Sequence, residues 1–206
     1  MTKEALIIFA KNPEVGKVKT RLAATIGNEA ALTIYNHLIA HTISITTDLP
    51  MDKYVFYLNE ITQNDTWDDN IFLKQLQNGN NLGERMKNAF RTVFENGYKS
   101  VVIIGTDCPG LDGDRIMDAF ARLDLYDVII GPSEDGGYYL LGSKCLHSAL
   151  FENIAWSTST VLKDTEDKCA ELKLNYYLLP LLNDIDEEKD LVYLEKKISF
   201  DFIKSW

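Results

Sequence analysis

The chain has 206 residues, 46% hydrophobic and 25% charged, with a formal net charge of -10 at pH 7. This composition predicts one globular domain over residues 1–206, and the acidic balance argues against a surface that binds nucleic acid or an anionic membrane. The first apolar run is short and flanked by charges, so we expect neither a signal peptide nor a membrane span, and we predict a cytoplasmic protein.

Predicted strands and helices alternate along the chain. Apolar runs bounded by turn residues predict strands at residues 4–10, 53–58, 70–76, 100–105, 126–131, 137–142 and 175–180. Apolar residues at helical spacing predict helices at 28–47 with Asn28 as N-cap, at 82–96 with Gly97 in the C′ position, at 112–123, at 157–172 with Ser157 as cap, and in the tail 191–206. This alternation predicts an α/β protein, a three-layer α/β/α sandwich with a mostly parallel sheet and ligands at the carboxyl ends of its strands.

A basic loop follows the first predicted strand. Four basic residues fall within eleven positions of this acidic chain: Lys11, Lys17, Lys19 and Arg21. Lys and Arg make charge-assisted bonds to phosphate oxygens, and Gly16 lets backbone N–H groups approach a diphosphate closely. The loop lacks the spacing of a P-loop, because Val18 follows Lys17. The pattern predicts a phosphate site, with a solvated basic turn as the alternative.

Carboxylates follow two of the predicted strands. Asp107 lies directly after the strand at 100–105, where it could hold Mg²⁺ or Mn²⁺ and so neutralise a departing phosphate. The alternative for Asp107 is a turn or helix cap before Pro109. Asp184 and Asp186 follow the last strand and offer a second metal ligand, although carboxylates also favour the first turn of a helix.

Three further segments are candidate substrate contacts. Asp135 precedes the pair Gly136 and Gly137, which leave room for an acceptor against the backbone, or else form a tight turn between strands. Gly83 and Arg85 lie at a helix start that could face the nucleotide. Trp156 could form an aromatic wall of the acceptor pocket; capping and core packing are the alternatives for these last two segments.

Several motifs together resemble one known family. FAKxPxxGxVKTRL, LGERM, GTDCPxL, GPxxDGGYYLLG and WST span residues 9–158 and resemble the bacterial GT-A glycosyltransferase-like family associated with arsenosugar biosynthesis, in the nucleotide-diphospho-sugar transferase superfamily. The resemblance implies the GT-A fold. It places the diphosphate near Lys11, Lys19 and Arg21, the metal on Asp107 with Asp184 or Asp186, and the acceptor near Asp135 and Gly136. Similarity extends more weakly to 2-phospho-L-lactate and molybdenum cofactor guanylyltransferases.

The resemblance implies transfer of a sugar from a nucleotide diphosphate sugar to a small acceptor, assisted by Mg²⁺ or Mn²⁺ at Asp107. Lys19 and Arg21 would stabilise the phosphates, and Asp135 would orient or deprotonate the acceptor hydroxyl. One departure matters: the usual D-x-D of such glycosyltransferases reads Thr106-Asp107-Cys108-Pro109 here. Two alternatives therefore stay open, namely nucleotidyl transfer from a nucleoside triphosphate with release of pyrophosphate, and nucleotide binding without catalysis.

Overall fold

The computed structural model describes residues 3–195, and the prediction for the tail beyond Glu195 lies outside the described residues. Seven strands form one sheet: β1 (Glu4–Ala10), β2 (Asp52–Tyr57), β3 (Phe72–Leu76), β4 (Ser100–Ile104), β5 (Val128–Pro132), β6 (Tyr138–Ser143) and β7 (Tyr176–Leu178). The α-helices are α1 (Thr20–Ile26), α2 (Asn28–Thr46), α3 (Leu82–Glu95), α4 (Gly113–Arg122), α5 (Val161–Glu171) and α6 (Leu191–Glu195). Within residues 3–195, no helix is long and apolar enough to cross a bilayer.

The sheet has the strand order β3-β2-β1-β4-β6-β5-β7. Strand β6 runs antiparallel to its neighbours β4 and β5, and every other pairing is parallel. The predicted mostly parallel sheet is therefore confirmed. From β1 the chain first adds strands on one side, through β2 and β3, and then crosses to β4 on the other side. Ligands of open α/β sheets bind at such a switch point, outside the carboxyl ends of the strands.

Helices cover both faces of the sheet. Successive side chains of β1 point to opposite faces, so Leu6 and Ile8 join one buried cluster while Ala5 and Ile7 join the other. The first cluster contains residues of α2 and α4, and the second contains residues of α3 and α5. The three-layer α/β/α architecture is thus confirmed. Burial on both faces also explains why β1 and β4 are continuous apolar runs.

Two predicted helix caps are wrong. Asn28 is the first residue of α2, and its N-cap is Gly27. The reason is that α1 ends at Ile26, so a single residue separates the two helices. That residue is Gly27, whose φ of 87° breaks the helical backbone between them. Ser157 lies at φ 64° in a loop, and α5 begins four residues later with Thr160 as N-cap. By contrast, Gly97 lies at φ 87° directly after the C-cap of α3, as predicted.

Candidate active site

A cleft of about 800 Å³ lies at the carboxyl edge of the sheet, a size typical of small-molecule sites. Segments that follow β1, β2, β3, β4 and β5 contribute to its walls. The cleft brings together most of the candidate residues: Lys11, Lys19, Arg21, Arg85, Asp107, Asp135, Gly137, Trp156, Asp184 and Asp186. Three other candidates, Gly16, Gly83 and Gly136, are not among the residues that line it.

Lys19 lines the cleft and contacts carboxylates from two other segments. Its ammonium Nζ is 2.7 Å from Asp107 Oδ1 and 3.5 Å from Asp186 Oδ1, and it donates a hydrogen bond of 2.6 Å to the backbone carbonyl of Ile185. Only 4% of the Lys19 side chain is exposed. A buried ammonium requires such partners, because removing it from water is costly. Two carboxylates and a backbone carbonyl therefore converge on the Lys19 ammonium.

Backbone contacts fix this convergence. Ile185 donates its N–H to the carbonyl of Asp107 over 2.9 Å, so the segment after β7 is joined to the loop after β4. The backbone of Lys19 has φ 47° and ψ 45°, the left-handed conformation, immediately before α1. A lysine rarely adopts this conformation, which costs about 1–2 kcal/mol for a residue with a Cβ. The ion pairs and the hydrogen bond to Ile185 offset that cost.

Asp184 adds a further carboxyl group to this part of the cleft. Burial, and next the negative charges of Asp107 and Asp135, raise the pKa of Asp184 to about 7. This crowding of carboxylates favours a cation. Within residues 3–195 no group of three or more His, Cys, Asp or Glu side chains is arranged to hold a metal. Asp107 and Asp186 could still supply two carboxylates to Mg²⁺ or Mn²⁺, because Mg²⁺ often takes one or two carboxylates and completes its shell with water and substrate phosphates.

The basic loop presents part of its charge to the cleft. Arg21 is 66% exposed and its guanidinium lies 3.7 Å from Asp186 Oδ2, while Lys11 is exposed at the cleft wall. Lys17, in contrast, pairs with Glu14 over 2.6 Å outside the cleft lining. Gly16, at φ 75°, shapes the turn of the loop. Lys11 and Arg21 are thus the loop cations best placed to meet an anionic ligand.

Tyr35 of α2 is a residue that the sequence reasoning missed. Its hydroxyl accepts a hydrogen bond of 2.8 Å from the N–H of Lys11 and donates one of 3.1 Å to the Lys11 carbonyl. Burial, and next the charge of Asp107, raise the pKa of Tyr35, so the hydroxyl stays protonated. Tyr35 lies on the apolar face of a predicted helix, so the sequence indicated core packing and not a hydrogen bond to the basic loop. The hydroxyl group of the tyrosine was the one feature that could have indicated such a bond. Tyr35 anchors the start of the basic loop.

Tyr35→Phe is expected to lower the free energy of unfolding by about 1–3 kcal/mol, because it leaves the Lys11 backbone groups without their partner. It should also weaken nucleotide binding, since the loop loses its anchor. The matched control is Tyr98→Phe, which removes a hydroxyl that donates to Asp52 over 2.6 Å just before β4 begins, away from the cleft. Urea titration and calorimetry should show comparable destabilisation in both variants and weaker nucleotide binding only in Tyr35→Phe.

Gln77 is a second residue missed from the sequence. It follows β3 and lines the cleft, and its side-chain N–H₂ donates hydrogen bonds to the carbonyls of Phe56, at 2.9 Å, and Ala10, at 3.4 Å. These bonds fix the plane of the amide. A polar residue directly after a predicted strand was the signal that could have identified it, because the carboxyl ends of parallel strands share one edge.

Two of the glycines predicted to touch ligands lie in close contact with neighbouring residues. A Cβ on Gly83 would lie 2.2 Å from Nε1 of Trp156, and a Cβ on Gly136 would lie 2.0 Å from the carbonyl oxygen of Ser159. At both positions the lack of a side chain lets the glycine lie close to the 156–159 loop, whose residues line the cleft. Asp135 also takes part in the local turn, because its Oδ1 accepts a hydrogen bond of 2.9 Å from the N–H of Gly137.

Known proteins of three kinds are similar to this chain. The profile of a bacterial family described as "Uncharacterized protein conserved in bacteria (DUF2064)" matches residues 40–158. The 2-phospho-L-lactate guanylyltransferase of Methanocaldococcus vulcanius is 26% identical over 97% of this chain and 90% of its own length. A candidate nucleotide-diphospho-sugar transferase of Desulfovibrio desulfuricans G20 has a crystal structure that matches with a TM-score of 0.87 and 32% identity, over 97% of this chain and 90% of that one.

More distant structures share the fold alone. The 2-C-methyl-D-erythritol 4-phosphate cytidylyltransferase of Francisella tularensis matches with a TM-score of 0.58 and 15% identity. The match covers 96% of this chain and 100% of that one. The nucleotide-diphospho-sugar transferase fold is therefore shared across almost the whole length of this chain, and the fold predicted from the sequence is confirmed.

Proposed function

Because the chain belongs to the bacterial family DUF2064, within the nucleotide-diphospho-sugar transferase superfamily, we propose that it is a nucleotidyltransferase. It transfers a nucleoside monophosphate from a nucleoside triphosphate to a small acceptor and releases pyrophosphate. The observation that carries the proposal is the convergence of Asp107 and Asp186 on the ammonium of Lys19, a residue of the basic loop that also presents Lys11 and Arg21 to the cleft. The guanylyltransferase relative, similar along almost its whole length, supports nucleotidyl transfer over sugar transfer.

In the proposed reaction, an acceptor oxygen forms a bond to the α-phosphorus while the bond from that phosphorus to the pyrophosphate oxygen breaks. Pyrophosphate leaves with the electron pair. Lys11 and Arg21 bind the triphosphate from the loop, and Lys19 adds a third positive charge. A divalent cation held by Asp107 and Asp186 would neutralise charge on the donor phosphates and on the leaving pyrophosphate.

The acceptor lies, in this proposal, in the part of the cleft lined by Asp135, Gly137 and Trp156. Asp135 orients the acceptor and Trp156 forms one wall. The wall segment carries the hydroxyls of Ser157 and Ser159, which also line the cleft and can donate hydrogen bonds to the acceptor substrate.

Sugar transfer is the second candidate, and the Desulfovibrio structure favours it, since that protein is described as a candidate nucleotide-diphospho-sugar transferase. The same basic loop would then bind a diphosphate. The leaving group separates the two reactions: nucleotidyl transfer releases pyrophosphate, whereas sugar transfer releases a nucleoside diphosphate.

The test combines the four nucleoside triphosphates, and separately a set of nucleotide sugars, with small acceptors that carry phosphate, carboxylate or hydroxyl groups, all with Mg²⁺ or Mn²⁺. Pyrophosphate is measured enzymatically and nucleoside diphosphate by chromatography. We expect pyrophosphate that depends on one triphosphate and one acceptor. Release of nucleoside diphosphate from a nucleotide sugar, without pyrophosphate from any triphosphate, would replace the proposal by sugar transfer. Binding of nucleotide without either product would indicate a non-catalytic protein.

A further inference from the structure

A side chain of the protein itself holds the point between Asp107 and Asp186. The Lys19 ammonium lies 2.7 Å and 3.5 Å from these two carboxylates. We propose that Lys19 is a displaceable counter-ion: it occupies the divalent-cation position in the nucleotide-free protein and moves to the phosphates when nucleotide and cation enter together. The inference rests on the proposed function, because it assigns the order of binding at that same site.

The two cations compete for the same oxygen atoms. A bound Mg²⁺ lies about 2.0–2.1 Å from its ligand oxygens, so a Mg²⁺ on Asp107 Oδ1 would lie within a few ångströms of the Lys19 ammonium, which is 2.7 Å from the same atom. The two positive charges would also repel each other at this separation. Free divalent cation must therefore displace Lys19, and its apparent affinity for the nucleotide-free protein falls accordingly.

Several features make Lys19 displaceable rather than permanently bound. The Asp107 and Asp186 side chains are 37% and 39% exposed, so both carboxylates can be reached from the cleft. The side chain has a flexible four-carbon stem, and the phosphates of a nucleotide would offer its ammonium new partners.

Cooperative binding follows from this arrangement. Nucleotide phosphates draw Lys19 away and free two carboxylates for the cation, while the cation alone meets a site that is already neutralised. Since the coupling is reciprocal, the cation should raise nucleotide affinity by the same factor. The protein would thus acquire its catalytic cation chiefly together with its nucleotide.

The first test measures Mn²⁺ binding to the nucleotide-free protein by electron paramagnetic resonance of free Mn²⁺. The variants are Lys19→Met and, as matched control, Lys17→Met. The Lys17 side chain is 64% exposed and its ammonium pairs with Glu14. We expect Lys19→Met to bind Mn²⁺ about tenfold tighter or more than the unmodified protein, because the competing charge is gone. Lys17→Met should bind Mn²⁺ as the unmodified protein does. Equal or weaker Mn²⁺ binding by folded Lys19→Met would overturn the proposal.

A second test needs no substitution and applies even if Lys19→Met fails to fold. Reductive methylation followed by mass spectrometry reports how accessible each lysine is. Lys19 should be protected without Mn²⁺ and become methylated at saturating Mn²⁺. Lys53 is the internal control, because it is buried and donates hydrogen bonds to the carbonyls of Leu49, at 2.7 Å, and Met51, at 3.1 Å. Protection of Lys19 that is unchanged at saturating Mn²⁺ would contradict displacement.

Neither readout requires turnover, so this inference and the proposed function can fail separately. Displacement of Lys19 by Mn²⁺ without pyrophosphate release would leave the counter-ion role standing and remove the catalytic assignment. Pyrophosphate release by the unmodified protein, together with unchanged Mn²⁺ binding in Lys19→Met, would support the catalytic assignment and remove the counter-ion role.

Discussion

Asp107→Asn is expected to lower the rate of pyrophosphate release about 100- to 1000-fold, the range seen when one preorganised electrostatic group is lost. The substitution keeps the shape of the side chain but removes the charge closest to the Lys19 ammonium, 2.7 Å away. It also removes one of the two proposed cation ligands. Initial rates at saturating Mg²⁺ or Mn²⁺, with the acceptor found in the screen, measure the effect.

The same substitution should lower the free energy of unfolding by about 1–3 kcal/mol, because Lys19 loses a charge-assisted hydrogen bond. Rates must therefore be measured well below the unfolding temperature of the variant. Asp118→Asn is the control, since Asp118 pairs with Arg122 on α4, over 2.7 Å, and does not line the cleft. If Asp107→Asn retained the rate of Asp118→Asn, Asp107 would have no part in the reaction.

Gly136→Ala is expected to lower the free energy of unfolding by about 2–4 kcal/mol, from a left-handed backbone and a collision in a packed region. Gly136 has φ +86°, and its new Cβ would lie 2.0 Å from the carbonyl oxygen of Ser159. A backbone atom cannot move aside as the end of a flexible side chain can. The 157–159 loop should shift, so we also expect a higher KM for the acceptor.

Gly97→Ala is the matched control for this prediction. Gly97 has nearly the same backbone conformation, φ +87°, but a Cβ there would meet nothing within 4 Å. Gly97→Ala should therefore lower the free energy of unfolding by only about 1 kcal/mol, because only the backbone conformation is unfavourable for alanine. It should leave acceptor binding unchanged. Denaturant unfolding of both variants measures the loss of unfolding free energy, and the difference between them is the cost of the steric clash at Gly136. Equal losses in the two variants would show that Gly136 makes no close contact with the 157–159 loop.

The fold could be predicted because burial on both faces leaves a strong local pattern. The strand predicted at residues 4–10 has the same bounds as β1. Each other predicted strand differs from the observed strand by a few residues at its ends. The helix boundaries around Gly27 and Ser157 could not be predicted. Gly27 and Ser157 have positive φ angles, and the N-cap residues Gly27 and Thr160 make no side-chain cap hydrogen bond.

The predicted site residues that line the cleft lie mainly in segments that follow strands. Asp107 was predicted because it lies in the loop after β4, and Lys11 because it directly follows β1. Tyr35 and Gln77 were missed since their roles depend on bonds to backbone atoms far away in sequence, at Lys11 and Phe56. The pairing of Lys19 with Asp107 also lies beyond sequence reasoning, which assigned Lys19 to a phosphate and gave no sign of a contact across 88 positions.

The most direct test of the nucleotide site is the shift in unfolding temperature that nucleoside triphosphates with Mg²⁺ produce. A triphosphate at about 100 times its dissociation constant stabilises the native state by about 2.7 kcal/mol. For a chain of this size, that is a rise of roughly 5–10 °C. We predict such a rise for at least one triphosphate, and a much smaller one when Lys11 and Arg21 are both replaced by Met. An unfolding temperature that stays constant with all four triphosphates would contradict a nucleotide site in this cleft.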